Sequence, residues 1–163
     1  MPVRESIKSG LSFGLASSII TTLGLIVGVE AGTKSAPVVL GAVLTIAVAD
    51  AFSDALAMHI SKEAGTEPQR QVWEATFSTF FSKFFFAMIF VGPILLLDLA
   101  SAISASILIG MVLLGFFSYR IAVARKEKPN FVVAEHLFIA MAVITVTHFL
   151  GEWVSAVFVQ PLP

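Results

Sequence analysis

The chain has 163 residues, of which 57% are hydrophobic and only 13% charged, and its formal net charge is −1. In a typical soluble domain, about a quarter of the residues are charged, so this composition excludes an ordinary soluble enzyme and a disordered chain. Because basic residues are not in excess, it also excludes a nucleic-acid binder. The chain has no cysteine, hence no disulfide framework or thiolate metal site, and we expect an integral membrane protein.

Long apolar stretches separated by short charged connections predict five transmembrane helices. In chain order they cover residues 9–30, 37–61, 73–97, 99–122 and 131–159. Each is long enough to cross about 30 Å of hydrocarbon as a helix, so residues 1–163 are interpreted as a single transmembrane domain. The sequence Gly92-Pro93 is expected to kink or end the third helix.

Basic residues are concentrated on one side of this predicted topology. The N-terminus and the second and fourth connections carry Arg4, Lys8, Lys62, Arg70, Arg120, Arg125, Lys126 and Lys128. The other side carries only Lys34. Because positive charge is retained on the cytosolic side, we predict a cytosolic N-terminus and a C-terminus outside the cell or in a lumen. The membrane is the cell membrane in a prokaryote, and otherwise that of a vacuole or another organelle.

The first predicted helix has a stripe of small residues, which are Gly10, Gly14, Ser17, Thr21, Gly24 and Gly28. Small residues allow two helix backbones to approach closely within a bilayer. The stripe is therefore expected either to pack against another helix of the same chain or to form the seam of a homodimer.

The second predicted helix carries two acidic residues within its apolar sequence. Asp50, Asp54 and Met58 recur at four-residue intervals and share one helix face. A carboxylate at the centre of a membrane helix costs about 2.5–3.5 kcal/mol on insertion scales, so both need a partner. Lys83 of the third helix is the candidate counter-ion. Because it is a single cation, we expect it to be the partner of one aspartate more than of both. A bound cation or a water-filled path is the better explanation for the second.

Carboxylate oxygens are hard ligands and a thioether is soft, so this face favours a first-row transition metal. Two adjacent carboxylates in a low dielectric hold a proton more tightly, and a metal that binds there displaces protons. One chain supplies too few ligands for an octahedral ion, whereas a two-fold dimer presents the face twice. The residues thus suggest metal–proton exchange through a homodimer.

Five further residues are weaker candidates for metal access or release. They are Glu63, Glu67 and Glu74 near the second connection, and the i, i+4 pair His148 and Glu152 near the outer end of the fifth helix. Solvated loop charges and a solvated ion pair are the better explanation for them. Since no phosphate-binding loop and no nucleophile–base arrangement occurs, we predict neither an enzyme nor a tightly bound cofactor, and a hydrolase based on His148 and Glu152 is the weakest alternative.

Read as a whole, the chain resembles the vacuolar iron transporter family. Residues 10–15 resemble the glycine-rich opening of that family, and residues 50–62 resemble its acidic-to-methionine pattern with the same eight-residue interval. Segments 77–94 and 119–141 are similar to its third helix and to the basic loop that leads into its fifth. The resemblance implies a five-helix protomer, a homodimer with helices one and two lining the path, and proton-coupled export of iron(II) or manganese(II) from the cytosol. It assigns the transport-site roles to Asp50 and Met58.

This chain departs from the family pattern at two places. Phe13 stands where the family has an acidic residue in helix one. The connection 62–71 is too short for the metal-binding domain that plant members carry there, so capture of metal from the cytosol is expected to be simpler or absent.

The sequence therefore predicts an iron(II) or manganese(II) transporter with Asp50, Asp54 and Met58 as metal ligands, and with the bilayer, divalent metals, protons and a second copy of the chain as partners. The alternative is a membrane scaffold or assembly protein whose buried aspartates only fix the packing of the helices.

Overall fold

The computed structural model describes residues 5–158, which form six α-helices and no strand. The helices are α1 (Glu5–Thr33), α2 (Ala36–Glu63), α3 (Gln69–Ile89), α4 (Val91–Leu96), α5 (Leu99–Arg125) and α6 (Pro129–Phe158). Because one residue separates α3 from α4, they form one unit, and the described chain has five helical units long and apolar enough to cross a membrane. The prediction of an all-helical chain with five such helices is confirmed.

The observed helices are longer than the predicted ones by a few residues at most ends, and residue 159 lies outside the described residues. The predicted irregularity near Pro93 is a break at Phe90, between the end of α3 and the start of α4. Pro93 has no N–H, and its ring collides with the carbonyl group four residues earlier. That residue is Ile89, where α3 ends.

Two helix ends are fixed by local polar contacts. At the start of α5, the Asp98 carboxylate accepts a hydrogen bond from the Ser101 backbone N–H at 3.1 Å. This bond, together with one from the Ser101 hydroxyl, lowers the pKa of Asp98. At the end of α5, Lys126 has a left-handed backbone with φ of 59°, and the N–H of Glu127 donates to the Ala122 carbonyl at 2.9 Å. This is the reversal that commonly ends a helix, although glycine is the usual residue there.

The helices run up and down, with α1 as the most buried of the five units. α1 packs against α2, α3, α5 and α6. It lies parallel to α3, because Ser6 contacts Glu74 near the start of both helices. It lies antiparallel to α2, because Ser17 contacts Asp54 while Thr21 contacts Asp50. We refer to the side where α1 begins as the N-terminal end of the bundle.

Large apolar side chains cover the outside of the bundle and small polar ones lie within it. Phe52, Phe85, Leu108, Phe138 and Phe149 are among the large side chains exposed on the surface. The buried polar residues include Ser18, Thr22, Ser106 and Ser118. This distribution suits a protein surrounded by lipid, where small polar residues mediate contacts between helices and the exterior needs no polar covering.

Candidate cation site in the middle of the bundle

The glycines of α1 bring two other helices of the same chain close to it. A Cβ atom at Gly14 would lie 2.8 Å from the backbone oxygen of Thr79 in α3, and one at Gly28 would lie 3.1 Å from that of Thr147 in α6. Gly10 faces α3 in the same way, and Gly24 faces α6. Packing within the chain therefore accounts for these four glycines.

An ammonium group and two carboxylates meet where α1, α2 and α3 pack together. Lys83 Nζ lies 2.6 Å from Asp50 Oδ2, and it also forms an ion pair with Asp54 Oδ2. Asp50 and Asp54 lie near the middle of α2, and Lys83 lies near the middle of the unit formed by α3 and α4. All three charged groups are thus placed where a bilayer would be driest.

Two hydroxyl groups of α1 complete this cluster. The Ser17 hydroxyl accepts a hydrogen bond from Lys83 at 3.0 Å and donates to Asp54 Oδ2 at 3.0 Å. The Thr21 hydroxyl lies 3.2 Å from Asp50 Oδ2 and 2.9 Å from the Ser17 carbonyl, so that its single O–H can donate to either oxygen. We call Ser17, Thr21, Asp50, Asp54 and Lys83 the central cluster.

Lys83 was the expected partner of one aspartate more than of both, and that expectation is wrong, because its ammonium contacts both. An ammonium group has three N–H donors, and Lys83 directs its Nζ at three neighbours, namely the two carboxylates and the Ser17 hydroxyl. The two carboxylates and one ammonium still sum to a charge of −1 when all are ionised. Lys83 therefore binds both acids without neutralising the cluster.

The charged groups differ in their exposure. The Lys83 side chain is 2% exposed, whereas those of Asp50 and Asp54 are 25% and 21% exposed. The ammonium thus approaches the carboxylates from inside the bundle, and the carboxylates reach the outer surface of the single chain. An exposed carboxylate at this depth is unfavourable in lipid, so the acidic side of the cluster needs a covering of water, a cation or protein.

Met58, the third predicted ligand, lies one helical turn beyond Asp54 and is half-buried. Among residues 5–158, no three His, Cys, Asp or Glu side chains come together as a potential metal site. The cluster therefore supplies two carboxylates from one chain, and an ion of higher coordination number needs Met58, water or a second copy of the chain to complete its ligands.

Sequence reasoning assigned Ser17 and Thr21 to close packing and missed their hydrogen bonds to the carboxylates. The sequence showed that they lie four residues apart on the face of α1 that contains the glycines. It did not show that the acidic face of α2 lies next to them. Phe13, one turn before Ser17, is 42% exposed on α1. In this chain, α1 thus contributes hydroxyl groups rather than an acid to the cluster.

The three glutamates predicted to assist metal access lie at the N-terminal end of the bundle, each beside a basic group. Glu63 lies 3.9 Å from His59 Nε2, Glu67 lies 2.9 Å from Lys62 Nζ, and Glu74 lies 3.0 Å from Arg70 Nε. Glu74 also accepts a hydrogen bond from Ser6 at 2.8 Å. The structure places these glutamates in separate pairs rather than in one site.

His148 and Glu152 lie toward the opposite end of the bundle, on α6. His148 Nε2 is 3.5 Å from Glu152 Oε1, and their side chains are 40% and 55% exposed. They form an exposed pair one helical turn apart and are not joined to the central cluster.

The chain matches no protein-family model and no curated protein. The resemblance to vacuolar iron transporters accordingly stays a prediction based on the residues quoted for it.

Proposed function

We propose that the protein is a membrane transporter that moves iron(II) or manganese(II) out of the cytosol in exchange for protons. The observation that carries this proposal is the central cluster, in which two partly exposed carboxylates and one lysine lie at the middle of membrane-length helices. Ionisable side chains at that depth are unfavourable and are typical of ion or proton pathways. When all three groups are ionised, the cluster has a charge of −1 and can take a proton or a further cation.

The ligand chemistry supports a transition metal as the substrate. Asp50 and Asp54 offer hard oxygen ligands, and Met58 offers a soft thioether on the same face of α2. A metal that binds to carboxylates competes with protons for the same oxygens. That competition is the physical basis for exchange, since proton binding on one side of the membrane releases the metal bound from the other.

The distribution of basic residues supports an orientation with the N-terminal end of the bundle in the cytosol. Lys62 and Arg70 lie at helix ends on that side, and Lys126 and Lys128 lie in the connection between α5 and α6. In the described connections at the opposite end, the basic residue is Lys34. The protein would then lie in the cell membrane of a prokaryote, or in a vacuolar or other organelle membrane of a eukaryote.

A second copy of the chain is proposed to cover the acidic side of the cluster, through α2 rather than through the glycines of α1. Exposed small residues recur at four-residue intervals along α2, which are Gly41, Thr45, Ala49, Ser53, Ala57 and Ser61. Of these, Ala49, Ser53 and Ala57 share one face about 80° wide. At 100° per residue, Ser53 lies only about 60° from Asp50 around the helix. A close contact between the α2 helices of two copies would shield Asp50 and Asp54 of each copy from lipid.

This α2 seam is tested by cross-linking, which is clean because the chain has no cysteine. We expect Ser53→Cys to form a disulfide-linked dimer in native membranes. The matched control is Ala142→Cys, which also introduces a cysteine at an exposed small residue near the middle of a long helix, on α6. Equal cross-linking at both positions, or none at position 53, would contradict the seam.

The transport proposal is tested with the purified protein in lipid vesicles. With an acidic interior, the vesicles are expected to take up manganese(II) several-fold faster than protein-free vesicles, and uptake should stop when the proton gradient is collapsed with an ionophore. Iron(II) should compete with manganese(II), whereas magnesium should not, because magnesium has no affinity for a thioether and gives up its water reluctantly. Uptake equal to that of protein-free vesicles would refute transport of these metals.

The alternative function, a scaffold or assembly protein without transport, is favoured by one specific observation. Lys83 contacts both aspartates, so each acid has an ion-pair partner within a single chain. In that case the cluster only holds α1, α2 and α3 in register, and vesicles containing the protein would show no metal uptake.

A further inference from the structure

Lys83 occupies the place that a bound cation would take between the two carboxylates. Its ammonium contacts Oδ2 of Asp50 and Oδ2 of Asp54, and its side chain is only 2% exposed. The hydroxyls of Ser17 and Thr21 point at the same Oδ2 atoms. The described polar contacts of the two acids thus all involve the Oδ2 atoms that the ammonium contacts.

A divalent ion cannot join the two carboxylates while an ammonium lies between them, because two positive charges a few ångströms apart repel strongly in a low dielectric. The metal must either find the ammonium already displaced or displace it. Lys83 is attached to α3, whereas both acids belong to α2, so a change in the Lys83 rotamer can open the pair while α2 stays in place.

We infer that Lys83 is an intramolecular competitor of the transported metal and a specificity-determining residue of the transporter. This inference rests on the proposed function. When no metal is bound, the ammonium holds the carboxylate pair and prevents it from trapping another cation. A monovalent ion carries no more charge than the ammonium that it must replace, whereas a divalent ion is attracted twice as strongly by the same acids. Lys83 thereby selects divalent over monovalent cations.

The test measures binding of manganese(II) to the full-length protein in detergent, by the loss of the electron paramagnetic resonance signal of the free ion. Lys83→Met removes the competing charge while retaining the length of the side chain. We expect Lys83→Met to bind manganese(II) at least tenfold more tightly than the unmodified protein. Manganese(II) should also raise the unfolding temperature of Lys83→Met more than that of the unmodified protein, because it replaces the missing positive charge. A structural role alone would not produce this rescue.

Two further variants complete the test. Adding Asp50→Asn to Lys83→Met should abolish the tight binding, which locates the metal at the central cluster. Lys83→Arg should bind manganese(II) at least threefold more weakly than the unmodified protein, since a guanidinium holds carboxylates through several hydrogen bonds. The Arg variant keeps the charge balance and therefore tests the inference even if Lys83→Met does not fold.

Monovalent ions provide the selectivity measurement. Sodium at 100-fold excess over manganese(II) should reduce manganese(II) binding to Lys83→Met by at least threefold and leave binding to the unmodified protein unchanged. Equal or weaker manganese(II) binding by Lys83→Met, or equal or tighter binding by Lys83→Arg, would overturn the inference while the transport proposal stands. If the unmodified protein neither binds nor transports manganese(II), the transport proposal fails, and the inference fails with it.

Discussion

Replacing Asp50 with asparagine is expected to abolish the uptake of manganese(II) into proteoliposomes, to less than about one hundredth of the unmodified rate. The amide oxygen of asparagine is a neutral and weaker ligand than a carboxylate, and the amide cannot take up the proton that is exchanged for the metal. Because the resemblance assigns a transport-site role to the same residue, this substitution is the most direct test of the central cluster.

The loss of uptake should not come from misfolding. With Asp50 neutral, the cluster keeps one carboxylate, Asp54, and one ammonium, Lys83, which are already in contact. With the other groups ionised, the charge of the cluster changes from −1 to zero, which removes an unpaired charge of the kind that is unfavourable in a bilayer. We therefore expect Asp50→Asn to insert normally and to unfold at the same or a higher temperature.

Asp98→Asn is the matched control, since it makes the same chemical change outside the central cluster. Asp98 caps the start of α5, and asparagine is as good a capping residue as aspartate. Uptake by this variant should equal that of the unmodified protein. If Asp50→Asn transports normally but, when combined with Ser53→Cys, no longer forms the disulfide-linked dimer, Asp50 holds the dimer together and is not a transport-site residue.

Replacing Lys83 with methionine is expected to lower the stability of the metal-free protein strongly. This change removes the buried ammonium that contacts both Asp50 and Asp54 and leaves two partly exposed carboxylates without that partner. Removing one partner of a buried ion pair typically lowers the free energy of unfolding by about 3–5 kcal/mol. For a chain of this size, that loss corresponds to a fall of roughly 10 °C in the unfolding temperature, which thermal denaturation in detergent will measure.

A triple variant separates charge from packing. Lys83→Met combined with Asp50→Asn and Asp54→Asn has no charge in the cluster, so it should recover most of the stability that Lys83→Met alone has lost, because replacing every partner of a buried pair is far less harmful than removing one. If the triple variant is as unstable as Lys83→Met, the stem of the lysine rather than its charge holds α3 against α2.

The small residues of α1 show which part of the helix packing can be predicted from the sequence. Their spacing of alternately four and three residues predicted a close helix contact, and the structure contains such contacts at Gly14 and Gly28. The sequence did not reveal that the two glycines meet different helices, α3 and α6. Spacing along one helix identifies a face that permits close approach, but it carries no information about which other helix occupies that face.

The sequence by itself determined the five membrane-length helices and the break before Pro93, because hydropathy, backbone hydrogen bonding and the missing N–H of proline act locally along the chain. It also singled out Asp50, Asp54 and Lys83, since charges stand out in an apolar stretch. Only the tertiary structure decided that one ammonium contacts both acids and that Ser17 and Thr21 hydrogen-bond to them. Those contacts depend on the depth and rotation at which α1, α2 and α3 pack, and packing, unlike helix formation in a bilayer, is set by residues far apart in the chain.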